Sequence, residues 1–238
     1  MHAPPLNDVI ARARELSAVG QLPIVVFDLD STLFSTAQRN LRILREFGAS
    51  VRGRWPHVEA GVAQLNVDQM GWNVSDSLHA VGVTDPVIDQ ALVAYWFARF
   101  FTDAYVRSDA PTPGAVAFAR AVHDAGAFCY YLTGRDVGGM AQGTVAAITD
   151  AGFPFWRGRT SLHLKPTFEE DDHRFKLAAL EDIRSHHGTV IATFENEPEN
   201  ANLFLAAFPD AQHFLLQTVH SPKPVVADER VVRIDDFQ

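Results

Sequence analysis

The chain of 238 residues has a single cysteine, Cys129, so no disulfide can form within it. Cys129 lies in the apolar run AFCYYL, where a free thiol behaves as a small buried hydrophobe. Runs of lysine and arginine are also missing, and the formal net charge is −9. Phosphate backbones are held by clustered positive charge, so no nucleic-acid partner is expected. A small anionic substrate is compatible with this balance, because local charge in a cleft can oppose the net charge. No stretch approaches the ~20 consecutive apolar residues that span a bilayer. MHAPPLND lacks the basic region and apolar core of a secretory leader. The expectation is therefore a soluble, cytoplasmic protein with no membrane partner. Repeats and low-complexity tracts are absent too. A hydrophobic fraction of 47% and a charged fraction of 21% are those of an ordinary globular chain. Its length suits one large domain or two unequal ones.

What the chain does contain begins with IVVFDLDSTLF, Ile24 to Phe34. An apolar strand runs directly into two carboxylates, Asp28 and Asp30. Two such groups a few ångströms apart repel, and one must take up a proton unless a cation lies between them. After this turn, from about residue 35 to 110, segments such as AQRNLRILREF and DPVIDQALVAYWFARFFTDAY carry helical spacing, with no convincing strand. Strand and helix then alternate. AFCYYLT, TVIATF and QHFLLQT read as strands, RTSLHL and VVRID as short ones, and DHRFKLAALEDIRSHH and PENANLFLAAF as helices.

Alternating β and α with nearly continuous apolar strands predicts a Rossmann-like parallel sheet with helices on both faces. The expected division is an α/β core of residues 1–34 and 111–238, with an all-α insertion at 35–110. In such sheets ligands bind at the carboxyl ends of the strands. Three of those ends carry reactive groups here: DLDST, LTGRD and FENEPEN. Asp28 is placed to attack a phosphorus atom and form an acyl-phosphate. Asp30 is placed to protonate the leaving oxygen and later to deprotonate water. Mg2+ would neutralise the pair and draw phosphate oxygens toward Asp28.

DLDSTLF after an apolar strand resembles the first motif of the haloacid dehalogenase superfamily, an apolar strand followed by DxD[GST][TV]. The superfamily's second motif, a strand ending in Thr or Ser, is matched by Thr133 in YYLTGRD, followed by Gly134 and Arg135. These imply phosphate binding by Thr133, Gly134 and Arg135. The third motif is a lysine that binds phosphate and steadies the nucleophile. Lys176 in HRFKLAAL fits it better than Lys165 in LHLKP. The fourth is commonly two acidic residues, where this chain has FENEPEN. Asn196 falls at the usual metal-binding acid, Glu195 before it and Asn200 at the later acid. That stretch looks like the DNSP of phosphatases acting on the RNA polymerase II tail, in which Asn is itself a ligand.

The resemblance covers residues 20–35 and 111–220. It implies a catalytic set of Asp28, Asp30, Thr133 and Lys176, a Mg2+ site of Asp28, Asp30, Asn196 and Glu195, and a helical lid of the C1 cap kind. An acid at position 30 favours phosphate ester hydrolysis over dehalogenation, because a leaving alkoxide needs a proton. The expected activity is hydrolysis of a small-molecule phosphate monoester. Two alternatives stand beside it. One is a phosphotransferase or mutase with the same residues. The other is a non-catalytic binding protein with a relict site, suggested by the departure at Glu195-Asn196.

Overall fold

The computed structural model describes residues 4–156 and 158–238. Helix α1 (Pro4–Ala18) leads into strand β1 (Pro23–Phe27), and β2 (Phe34–Ser35) follows. Five helices come next: α2 (Ala37–Ser50), α3 (Pro56–Val62), α4 (Val74–His79), α5 (Pro86–Phe100) and α6 (Asp103–Val106). After β3 (Ala110–Pro111) the chain alternates through α7 (Ala115–Asp124), β4 (Phe128–Asp136), α8 (Val137–Ala151), β5 (Thr160–Lys165) and α9 (Asp172–Ser185). It ends with β6 (Thr189–Glu195), α10 (Pro198–Ala207), β7 (Gln212–Leu216) and β8 (Val232–Ile234). Among the described residues, no helix is long and apolar enough to cross a membrane.

The chain divides into two compact units. The first comprises residues 1–34, 111–138 and 148–238, and the second comprises 35–110 together with 139–147. The first holds a six-stranded sheet in the order β5-β4-β1-β6-β7-β8, with every pairing parallel. This is the Rossmann-like α/β architecture that the sequence predicts. All five residues of β1 are buried. Successive side chains point to opposite faces, and both faces are covered, so neither set can be polar.

On one face Ile24, Val26, Tyr130 and Leu132 pack with Phe175, Ala179 and Ile183 of α9 and Phe204 of α10. On the other, the parallel register lines up Tyr131, Phe27, Phe194 and Phe214 across four strands. Their rings stack in sequence, Phe27 on Phe194 at 5.2 Å and Phe194 on Phe214 at 4.6 Å. Each such pair adds about 0.5–1.5 kcal/mol beyond the area it buries.

His213 of β7, next to Phe214 and on the opposite face of the sheet, is a polar exception. It is buried, with Nε2 bonded to Phe208 O at 3.0 Å and Nδ1 to Thr193 Oγ1 at 2.8 Å. A carbonyl can only accept, so Nε2–H donates and Nδ1 accepts from the Thr193 hydroxyl, as in a neutral imidazole. Burial accordingly lowers its pKa from 6.5. The unfolded chain then binds this proton more readily than the folded one. The resulting stability is present above pH 6.5 and is lost as pH falls from there toward the lower folded-state value. Thermal scans from about pH 8 to about pH 5 should show this decline. His213→Gln should flatten it, and an equal decline in the variant would exclude His213 as the source.

The second unit is helical, with a core of Leu44, Phe47, Val58, Val62, Leu78, Ile88 and Leu92. Arg39 and Asp109 form a fully buried ion pair there, with Arg39 Nε 2.8 Å from Asp109 Oδ1. The same guanidinium donates to Phe100 O at 3.2 Å and lies over the Phe100 ring. Trp96 stacks on Phe100 and donates to Asn40 Oδ1 at 2.8 Å, whereas Trp72 and Phe97 are exposed. Gly143 of α8 joins this unit through a backbone contact so close that a Cβ would lie 2.4 Å from Asp103 O. Its N–H donates to Asp103 Oδ1 at 2.6 Å.

Candidate active site

Asp28 stands one residue beyond β1. Its N–H donates to Phe194 O of β6 at 3.0 Å, which extends the parallel pairing and fixes the carboxylate at the sheet's carboxyl edge. The chain then turns sharply. Ser31 takes φ +58°, a left-handed conformation that costs a serine about 1 kcal/mol. The turn is held by Ser31 N–H on Phe34 O at 2.6 Å and Phe34 N–H on Leu29 O at 2.8 Å. Ser31 O in turn accepts the Thr218 hydroxyl. Thr32 is wholly buried. Its carbonyl accepts the Thr112 hydroxyl at 2.7 Å, and its own hydroxyl reaches Asn196 Oδ1 at 3.5 Å.

Thr133, Gly134 and Arg135 lie near the carboxyl end of β4. The β4–β5 register shifts between Thr133 and Asp136, so Gly134 and Arg135 bulge out of the ladder. Arg135, buried, grips Asp30 with both ends of its fork, Nη2 on Oδ1 at 2.7 Å and Nε on Oδ2 at 3.1 Å. Bidentate pairing of this kind is strong and directional. Thr133 is buried and its hydroxyl oxygen accepts Arg135 N–H at 3.2 Å. At Gly134 a Cβ would lie 2.8 Å from the Asp172 carboxylate. Asp172 receives Lys165 Nζ at 2.6 Å, so Lys165 serves that carboxylate.

Lys176 is the lysine that reaches Asp28. Asp171 is the N-cap of α9, its side chain accepting Arg174 N–H at 2.9 Å. The helix buries Phe175, Ala179, Leu180 and Ile183, which turns the neighbouring Lys176 inward. Nζ lies 2.7 Å from Asp28 Oδ1 and also donates to Glu195 Oε1. One ammonium is thus shared by two buried carboxylates. Burial raises the Asp28 pKa, opposed by Lys176 and reinforced by Asp30. Burial likewise pushes the Glu195 pKa up, against the pull of Lys176 and with the added push of Asp28. For Lys176, burial acts downward but the two carboxylates outweigh it and hold the ammonium charged.

Beyond β6 the side chains turn to two tasks. Glu195 spends one oxygen on Lys176 and turns the other to Glu197 N–H at 3.4 Å. Asn196 donates Nδ2–H to Val219 O at 2.8 Å, which orients its Oδ1 toward Thr32. Asn200 accepts from His173 Nδ1 at 3.1 Å. His163, another titratable group near Lys165, is bound to the Tyr130 hydroxyl, which also donates to Asp182 at 2.5 Å.

Among the described residues no three His, Cys, Asp or Glu side chains gather in a metal-holding group. The available donors are the Asp28 and Asp30 carboxylates and the Asn196 carboxamide, all hard oxygens. That set fits Mg2+, which takes one or two carboxylates and completes its shell with water and substrate oxygens. Asp30 enters such a set in competition with Arg135, and Glu195 faces Lys176.

The structure thus sets Lys176 between Asp28 and Glu195, pairs Arg135 with Asp30, and joins Asn196 to Thr32 and Thr133 to the backbone of Arg135. Thr32 and Glu197 carried no assignment in the sequence. Thr32 lies inside the quoted DLDST stretch, where a hydroxyl two residues beyond an acidic pair was the available signal.

Neither a family model nor a curated protein sequence matches the chain. Solved structures do. A haloacid dehalogenase-like hydrolase from Burkholderia xenovorans LB400 is similar at 16% identity and a TM-score of 0.51, over 91% of this chain and 93% of that one. A haloacid dehalogenase-like hydrolase from Bacteroides fragilis is similar at 12% identity and a TM-score of 0.50, over 91% and 98%. The chain also spans 66% of a class C acid phosphatase from Bacillus anthracis, with 84% of its own length, 12% identity and a TM-score of 0.41. The chain has the haloacid dehalogenase-like fold. At these identities the likeness is one of fold.

Proposed function

We propose that the protein is a Mg2+-dependent phosphatase that hydrolyses a small-molecule phosphate monoester through a phospho-aspartyl intermediate on Asp28. The observation that carries this reading is Lys176 Nζ at 2.7 Å from Asp28 Oδ1, at a strand end where a second acid stands two residues away. An Asp28 oxygen attacks phosphorus as the ester P–O bond breaks, and Asp30, once it has left Arg135 and taken up a proton from solvent, gives that proton to the departing alkoxide. Water then attacks the phosphorus, Asp30 takes the water's proton, and the Asp28 O–P bond breaks to release phosphate. Lys176 holds Asp28 in line and offsets charge on the phosphoryl group. Thr133 and Gly134 are assigned to phosphate oxygens, and Arg135 fixes the plane of the Asp30 carboxylate. Mg2+, when bound, supplies positive charge that offsets the two carboxylates and the phosphate oxygens together.

The test is phosphate release by purified protein from an aryl phosphate and from a panel of small sugar and nucleotide phosphates, with Mg2+ and with chelator. Turnover that needs Mg2+ is the expected result. Silence across the panel, joined with no Mg2+ binding by calorimetry, would overturn the proposal in favour of a non-catalytic binding protein.

A further inference from the structure

Strands β7 and β8 are parallel neighbours, yet residues 217–231 between them contain neither helix nor strand. Parallel crossovers usually carry a helix. Irregular loops of this length are uncommon in compact domains and tend to be functional. Here the loop's course is set by side chains of the stretch that follows β6. Asn196 Nδ2 donates to Val219 O at 2.8 Å. Glu197 accepts Ser221 N–H at 2.7 Å on one oxygen and Ser221 Oγ–H at 2.5 Å on the other. Asn202 donates to Val226 O at 3.0 Å and accepts Asp228 N–H at 2.8 Å. Glu199 pairs with Lys223 at 2.7 Å, an exposed contact of the kind worth little.

Glu197 is the informative member. It occupies the N-cap position of α10 but makes no side-chain bond to that helix. Both oxygens go instead to buried Ser221, two residues beyond the carbonyl that holds Asn196. A carboxylate accepting two hydrogen bonds from one residue fixes that residue's position and orientation. Val219 O is thereby held where it can receive Asn196 Nδ2–H, and Asn196 Oδ1 is left turned toward Thr32.

We propose that Glu197 is a positioning residue for the site: by clamping Ser221 it fixes the 217–231 loop so that Val219 O orients the Asn196 carboxamide as an oxygen donor for Mg2+. The inference rests on the phosphatase reading above and extends it to a residue that touches neither metal nor substrate.

Calorimetric titration of Mg2+ into the wild type, Glu197→Ala and Glu197→Gln tests it, with hydrogen exchange at residues 217–224 as a second readout. Removing the partner that orients a ligand typically weakens metal binding by about 10–100-fold, and that loss is expected in Glu197→Ala together with faster exchange in the loop. Glu197→Gln keeps an acceptor for Ser221 N–H, and its amide can donate to Ser221 Oγ, so it should bind Mg2+ nearly as the wild type does. Faster exchange in Glu197→Ala with unchanged Mg2+ affinity would overturn the proposal and leave the phosphatase reading intact. A wild type that binds no Mg2+ would overturn both. If Glu197→Ala does not fold, Ser221→Ala, which deletes one of the two bonds, takes its place. A several-fold loss of Mg2+ affinity is then the expected result, and unchanged affinity overturns the proposal.

Discussion

Asp28→Asn is expected to abolish phosphate release while making the protein more heat-stable. Loss of a covalent nucleophile lowers kcat by about 10,000-fold or more. The gain in stability follows from the charge count around Lys176, where one ammonium serves two buried carboxylates. Burial and the nearby Asp30 both raise the Asp28 pKa, which shows that its charge is held against resistance. An amide of the same shape still accepts from Lys176 and leaves a neutral pair with Glu195. A gain of about 1 kcal/mol would raise Tm by roughly 2–4 °C in a protein of this size. Such opposition of activity and stability is characteristic of a working site. Retained turnover would remove Asp28 as nucleophile. A lowered Tm would show that the Asp28–Lys176 bond outweighs the crowding of like charges.

Lys176→Met should act in the opposite direction on stability. It leaves Asp28 and Glu195 buried without a counter-charge, and breaking a buried pair in this way costs about 3–5 kcal/mol. At roughly 2–4 °C per kcal/mol, Tm should fall by about 6–20 °C, with turnover lost as well. Adding Glu195→Gln should recover part of the stability and none of the turnover, because the two residues share one network. Differential scanning calorimetry of the single and double variants reads both effects. If the double variant melts no higher than the single one, the stranded carboxylates are not the cause. Lys165→Met offers a contrast, since its partner Asp172 is largely solvent-exposed and the pair is worth far less.

The legible part of this site is the part that strand ends impose. An apolar strand must stop where its buried faces stop, so DLDST, LTGRD and FENEPEN mark the carboxyl edge of the sheet before any coordinates are known. Helical spacing in HRFKLAALEDI likewise sets Lys176 beside buried Phe175. The illegible part is pairing at long range. Arg135 grips Asp30 from 105 residues away, and nothing in TGRD distinguishes an arginine aimed at an acid from one aimed at phosphate. The place of Glu195 in FENEPEN suggests a metal ligand. Its commitment to Lys176 depends on how α9 lies against β6, which spacing along the chain does not encode. Similarly, residues 139–147 cluster with the helical unit because Gly143 admits the backbone of Asp103, an approach visible only in three dimensions.

The position of β1 in the middle of the sheet bears on how the protein is made. β1 has no partner on either side until β4 and β6 exist, and those strands begin at Phe128 and Thr189. At ribosomal speeds of about 5–20 residues per second, the first partner follows roughly 5–20 s after β1 itself. Throughout that interval a five-residue apolar strand is exposed along both edges, the kind of segment that pairs with other chains when nothing intervenes. The two carboxylates directly behind it place like charge at one end of that strand, where it discourages stacking with another copy. Asp28 and Asp30 would then serve the nascent chain as gatekeepers against aggregation, apart from the chemistry proposed for them in the folded protein.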